Sequence, residues 1–390
     1  MAGTMAQSRG WTGPAVLSFG FRPFFLLAAG WAVLAMALWV GWLAGALPVD
    51  PPLAPLEWHV HALLFGYGGA AVAGFLLTAV PNWTGRLPVV GWPLAGLAGL
   101  WVLGRVATTV PLGLPGAAVG VLDLAFPLAV LGFLAREVVA GRNWRNLKVL
   151  VPLGVFVLAQ GLFHWGPQGL GQRLGVAAIV FLILLIGGRI VPSFTRNWLA
   201  RQAPGGAEPA PFGRFDALAM GLAGGALLAW VALPWHPAVG VLALVAGAVH
   251  LVRLARWQGH RTGAEPLVWV LHAGYGLAAA GFLMLGAAVL APGHVPLVAA
   301  LHLWTAGAMG VMTLAVMTRA TLGHTGRALT AGPATTAIYG LALGAVAVRL
   351  VAGFVPLPGL VELAGALWIG AFAVYLAVYG PMLLAPRLGR

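Results

Sequence analysis

Twelve apolar stretches follow one another along this chain, each close to the roughly 20 residues that an α-helix needs to cross a bilayer. They run near 21–43, 59–80, 92–110, 116–138, 148–165, 172–192, 216–234, 237–257, 267–290, 295–318, 333–354 and 360–384. Periodicity says little inside them, because helices buried in a membrane bundle are apolar on every face. Breakers mark the ends instead: Pro51-Pro52, Pro81-Asn82, Pro111 to Pro115, Pro204-Gly205, Pro292-Gly293 and Pro356 to Gly359. Charged residues are only 7% of the 390, against about 25% in a soluble domain. The sequence therefore predicts an all-α fold: a polytopic transmembrane helix bundle of 12 helices, one integral membrane domain spanning residues 1–390.

The basic residues give that bundle a direction. Arg9, Arg86, the group Arg136, Arg142, Arg145 and Lys148, then Arg196, Arg201 and Arg214 fall in or beside alternate connections. So do Arg253, Arg256 and Arg261, then Arg319 and Arg327, and finally Arg387 and Arg390. The connections around 44–58, 111–115, 291–295 and 355–359 have neither Lys nor Arg. Arg105, Arg173 and Arg349 run against the pattern and are outnumbered. Positive loops stay inside, so both termini are expected in the cytoplasm. The net charge of +13 is membrane orientation, not a nucleic-acid footprint, since no basic face is interleaved with a stacking platform. Met1 to Phe19 has one Arg and no long apolar core, so no removable signal peptide is expected.

Three helix ends resemble one another. Thr78-Ala79-Val80-Pro81-Asn82-Trp83-Thr84-Gly85-Arg86, Gly187 to Asn197 and Met317 to Arg327 are all rich in Thr, Arg, Asn or His. They recur every four helices, which suits three four-helix units with the second, sixth and tenth helices inside. The competing account is that cytoplasmic helix ends in general collect Arg and Thr.

Chemistry in a bilayer usually rests on embedded polar groups. Carboxylates are few: Asp50 and Glu57 lie in the first outer loop, Asp123 and Glu362 within helices. There is no cysteine, which excludes thiolate copper sites, iron–sulfur clusters and covalent haem attachment. No HExxH, Walker or Ser-His-Asp pattern stands in a suitable context. Histidine is left as the metal-ligand candidate. His59, His61, His164 and His302 fall toward the outer side, His250 and His272 toward the cytoplasmic side. His61 and His302 enter from the outer side at similar depth and could bind one haem iron between the second and tenth helices. Equally, each could donate to a neighbouring helix carbonyl. His59 and His61 cannot share a helical face at two-residue spacing, so His59 needs a separate partner. Depth favours His164 for that role, while His272 suits a separate inner site. Arg189, Arg196 and Arg319 with Asn82 and His324 form a candidate polar cluster at cytoplasmic helix ends. Arg forks suit haem propionates, if a haem lies at that depth, or an anionic lipid.

The segments Trp58-His59-Val60-His61 through Gly66 and Gly74 through Gly85 resemble the NnrS family. So do Phe21-Arg22-Pro23-Phe24-Phe25, Gly188 to Pro192 with Phe194 to Asn197, Leu271 to Tyr275 and Leu301 to Arg327. The resemblance implies a haem- and copper-containing bacterial inner-membrane protein of nitric oxide metabolism. Read with the residues above, the haem would be b-type because no cysteine allows covalent attachment, with His59, His61, His272 and His302 as the candidate metal ligands and Arg189 and Arg319 as candidate cofactor contacts. Family members usually place Glu after the second histidine, whereas Ala62-Leu63 follows His61 here. Glu57 is then the nearest carboxylate in sequence and the candidate proton donor. The helix count is also similar to the catalytic subunit of haem–copper oxidases, although the sixth helix has no histidine.

Two functions compete on these observations. In the first, nitric oxide is bound and reduced at the metal centre, as in a nitric oxide reductase, with a bilayer quinol or other donor supplying electrons. In the second, the chain is a carrier or reservoir for haem, copper or NO-derived metal species, without turnover.

Overall fold

The computed structural model describes residues 11–47, 51–86, 88–202, 206 and 208–389. Arg9, Asp50, Pro204, Gly205 and Arg390 lie outside them. Among the described residues the regular structure is entirely helical. The long helices are α1 (Phe21–Leu43), α2 (Pro55–Thr84), α3 (Trp92–Thr109), α4 (Gly116–Ala140), α5 (Leu147–Trp165) and α6 (Gln168–Gln202). They continue with α7 (Arg214–Ala232), α8 (Pro237–Ala255), α9 (Pro266–Leu290), α10 (Leu297–His324), α11 (Pro333–Phe354) and α12 (Leu360–Leu384). Eleven of them are long and apolar enough to cross a membrane, which makes this a multi-pass membrane protein. The twelfth, α3, has 18 residues and carries Arg105, Thr108 and Thr109.

Pro81-Asn82 does not end a helix, contrary to expectation. α2 runs on to Thr84 and stops at Gly85, whose φ of 70° takes the left-handed turn that closes helices. Pro127, Pro152, Pro192 and Pro381 also sit inside helices. Membrane helices tolerate internal proline because neighbours re-satisfy the freed carbonyls. Two helices change pitch where they cross the bundle. α2 is π-helical over Ala62–Tyr67 and α10 over Leu303–Val311, directly after His61 and His302. Such wider turns expose carbonyls to other donors and often mark functional sites. In α2 the indole N–H of Trp31 donates to Ala62 O (2.8 Å), and that of Trp101 to Gly66 O (3.1 Å).

The chain divides into two compact units. The first holds Met1–Gly175, Met317–Ala328 and Phe372–Arg390, and the second Val176–Val316 and Leu329–Ala371. In the first, α1 packs on α2, and α4 packs on α2, α3 and α5. In the second, α8 lies between α7 and α9. That unit has its own buried ion pair: Arg253 Nε donates to Asp216 Oδ1 at 2.8 Å. Arg253 Nη1 and His250 Nδ1 both meet the Tyr275 hydroxyl, at 2.8 and 2.7 Å. His250 Nε2–H donates to Ala219 O, so every polar atom of that ring is satisfied.

Candidate metal centre

Four side chains from three helices converge on one carboxylate in the first unit. Asp123 of α4 has its Oδ2 2.8 Å from His61 Nε2 of α2 and 2.8 Å from His164 Nε2 of α5. Gln160 Nε2, one turn before His164, donates to the same oxygen at 2.6 Å. Arg105 Nη2 of α3 donates to Oδ1. The side chains of His61 and Asp123 are 0% exposed, His164 3% and Arg105 5%. A carboxylate so far from water persists only when paired and hydrogen-bonded, as this one is.

Small residues let the helices come close enough. A Cβ on Gly104 would sit 3.1 Å from Asp123 Cα, so α3 meets α4 there and delivers Arg105, the next residue, to the carboxylate. A Cβ on Gly120 would meet Trp165 Cζ2 at 2.7 Å and His164 Cβ at 3.1 Å, so α4 must be bare where α5 presents its histidine. The Arg105 guanidinium lies 6.0 Å from the Trp31 ring and 5.7 Å from that of Trp101, within cation–π range.

An ionised carboxylate only accepts hydrogen bonds, so both histidines present Nε2–H to Asp123. His61 Nδ1 is then a bare nitrogen, buried and without a hydrogen-bond partner among the described residues. The ligand atoms of His61, Asp123 and His164 all lie within 4.8 Å of one another. Ligands around a tetrahedral ion with bonds of about 2.0–2.1 Å stand ~3.3 Å apart. Spreading the present 2.8 Å contacts by about half an ångström, with each imidazole's proton moved from Nε2 to Nδ1, would admit an ion. Two imidazoles and a carboxylate suit a borderline divalent ion such as copper or zinc. Arg105 and Gln160 would then hold the ligating carboxylate from behind. The donor set fits copper.

The other sequence candidates have different surroundings. His59 is in the same short helical stretch as His61 but stacks on Trp39, with ring centroids 4.4 Å apart. The two rings do part company, and the partner assignment changes: His164 joins His61, not His59. His302 belongs to the second unit, where its Nδ1 donates to Val298 O, one turn back on α10, at 2.8 Å. His272, also in that unit, meets the Thr195 hydroxyl at 2.8 Å, and Thr195 in turn donates to Val191 O. Glu57 is half-buried in the first turn of α2. Arg189 lies on α6 and Arg319 on α10, half-buried and buried respectively. Of their proposed neighbours, Asn82 bonds to Thr78 O, Arg196 pairs with Glu208, and His324 packs on Phe19 and Phe21.

Asp123, Arg105 and Gln160 are the functional residues that sequence reasoning passed over as a group. Their signal was present: an acid and an Arg near the facing ends of consecutive helices joined by a short turn. Arg105 stands four residues before the end of α3 and Asp123 seven after the start of α4, similar depths at ~1.5 Å per residue.

The pattern that defines the NnrS family matches residues 15–387, nearly the whole chain. The chain belongs to the NnrS family. Membership supports a nitric-oxide-related membrane protein. No individually curated protein matches it.

Proposed function

We infer that this NnrS protein handles nitric oxide at a copper centre held by His61, Asp123 and His164. The observation that carries the reading is the meeting of two imidazoles and a carboxylate in a dry pocket braced by Arg105. A copper ion there would supply a binding point for nitric oxide and a single-electron redox couple. The chain's own residues do the rest. Arg105 and Gln160 fix the carboxylate, the π-helical turn after His61 sets the ring's position, and the surrounding Phe65 and Phe163 rings exclude water. Glu57, near the start of the same helix, is the proton source in this reading, and a bilayer quinol the electron source. The protein would sit in the bacterial inner membrane with both termini cytoplasmic.

Copper binding by purified protein tests this directly. Wild type should take one ion, whereas Asp123→Asn and His164→Ala should each bind it at least about 10-fold more weakly. Unchanged affinity in both variants would remove the site. Optical and EPR spectra before and after nitric oxide with a reductant then separate turnover from a carrier role, which predicts binding without consumption.

A haem b with His61 or His302 as ligand is the second reading, favoured by the π-helical segment that follows each. It predicts that His61→Ala or His302→Ala alters a Soret band, while His164→Ala leaves it alone. The copper reading predicts that His164→Ala weakens copper binding and that His302→Ala leaves it unchanged.

A further inference from the structure

A small cavity of about 20 Å³ lies beside the Asp123 cluster, within the first unit. Its wall is built of Phe65, Phe126, Val130, Leu153 and Phe156, with Arg105 and Gln160 as its polar edge. We propose that this cavity is a binding site for a small anion of two or three heavy atoms, held by the Arg105 guanidinium.

Three features select that ligand. The first is unused donor capacity: Arg105 Nε and Nη1 are buried and donate to nothing among the described residues, although Nη2 is engaged by Asp123. Buried N–H groups left unpaired are costly, and a guanidinium is the side chain that most favours an anion. The second is the wall. The phenyl and aliphatic side chains have neither donor nor acceptor, and Gln160 commits an N–H to Asp123, so the wall's unused donors are those of the guanidinium and a ligand that accepts hydrogen bonds is matched to them. Size is the third. A water needs roughly 10–15 Å³, so the space takes a ligand of a few heavy atoms and not a porphyrin.

Charge ties the anion to the metal. Asp123 and Arg105 neutralise each other in the metal-free cluster. A divalent ion on His61, Asp123 and His164 leaves uncompensated positive charge in a dry interior, which a bound anion offsets. The copper-loaded protein should therefore hold the anion more tightly than the metal-free one. This last point rests on the copper reading above, whereas the site itself rests on Arg105 and the cavity.

Azide is a suitable probe because its infrared stretch reports its surroundings. It should be titrated into metal-free and copper-loaded protein in lipid nanodiscs, with copper content measured in each sample. Wild type should show a saturable bound-azide band, tighter with copper. Arg105→Gln should weaken it at least tenfold. Since that change also strips Asp123 of its counter-ion, Gly69→Leu serves as a second variant. Gly69 lines the cavity, and a Cβ there meets only Phe156 Cε1, at 3.8 Å, so a larger side chain fills the space. Loss of azide from Gly69→Leu with copper retained supports the proposal. Full azide affinity in both variants, or no bound-azide band in any wild-type sample, overturns it and leaves the copper reading intact. Arg105-dependent azide binding in a protein that takes up no copper would sustain the anion site and end the copper assignment.

Discussion

Asp123 gathers four side chains of the first unit around one carboxylate. It accepts from His61, Gln160 and His164 on one oxygen and from Arg105 on the other. Removing one member of a buried pair leaves the other charge stranded, at a cost of about 3–5 kcal/mol. Asp123→Ala should therefore lower the thermal stability of detergent-solubilised protein sharply. Asp123→Ala with Arg105→Met should recover part of the loss, because the double change removes both charges. A double variant no more stable than the single would show that the pair is not what holds this region. Glu57 belongs to the same scale but makes a different prediction. Glu57→Gln should slow nitric oxide consumption and leave copper content unchanged, since Glu57 lies outside the ligand set. Full consumption by that variant would exclude it as the proton source.

At the scale of the helices, the site depends on where backbones can touch. α4 is the hub, with α3 approaching at Gly104 and α5 at Gly120. Gly120→Val would force Trp165 and His164 away from α4, because the new side chain needs space that Trp165 Cζ2 and His164 Cβ already occupy. Over-packing of this kind costs about 1–3 kcal/mol. The expected result is a lower melting temperature together with weaker copper binding. Copper affinity equal to wild type would mean that His164 is not positioned by this contact. Arg105, Asp123 and His164 could each be read from the sequence as isolated polar residues in apolar segments. Their convergence could not, because helix rotation and neighbour choice are set by such small-residue contacts, which many glycines in the chain could have made.

For the whole molecule, the two compact units carry two separate buried ion pairs, Arg105–Asp123 and Arg253–Asp216. Arg253→Met should destabilise by a comparable ~3–5 kcal/mol yet leave the copper bound per folded chain as in wild type. A loss of copper in that variant would show the centre to be less self-contained than its ligand set. Topology is testable because the chain has no cysteine. A single cysteine at Leu112, between α3 and α4, should react with a membrane-impermeant thiol reagent added outside intact cells. One at Gly263, between α8 and α9, should not. Reaction of Gly263 alone would invert the orientation derived from the arginines.

The sequence by itself determined the class of molecule, the twelve helices and, within a few residues, most of their ends, since bilayer thickness demands about 20 apolar residues per crossing; α6 runs on to Gln202 and α10 to His324, past the apolar stretches that marked them. It also determined the family, through segments such as Trp58 to Gly66. It separated His59 from His61 by helical geometry alone. What only the tertiary structure decided is company. His61 faces Asp123 and His164, while His302 turns back to its own helix at Val298 O. The π-helical pitch after each histidine and the run of α2 through Pro81 were likewise invisible, because carbonyls freed in one helix are satisfied by donors such as Trp31 and Trp101 from others. In a chain that is apolar on every helix face, hydrophobicity places the helices in the membrane but is silent on which faces meet. The few polar side chains and the glycines make that choice, and they make it in three dimensions.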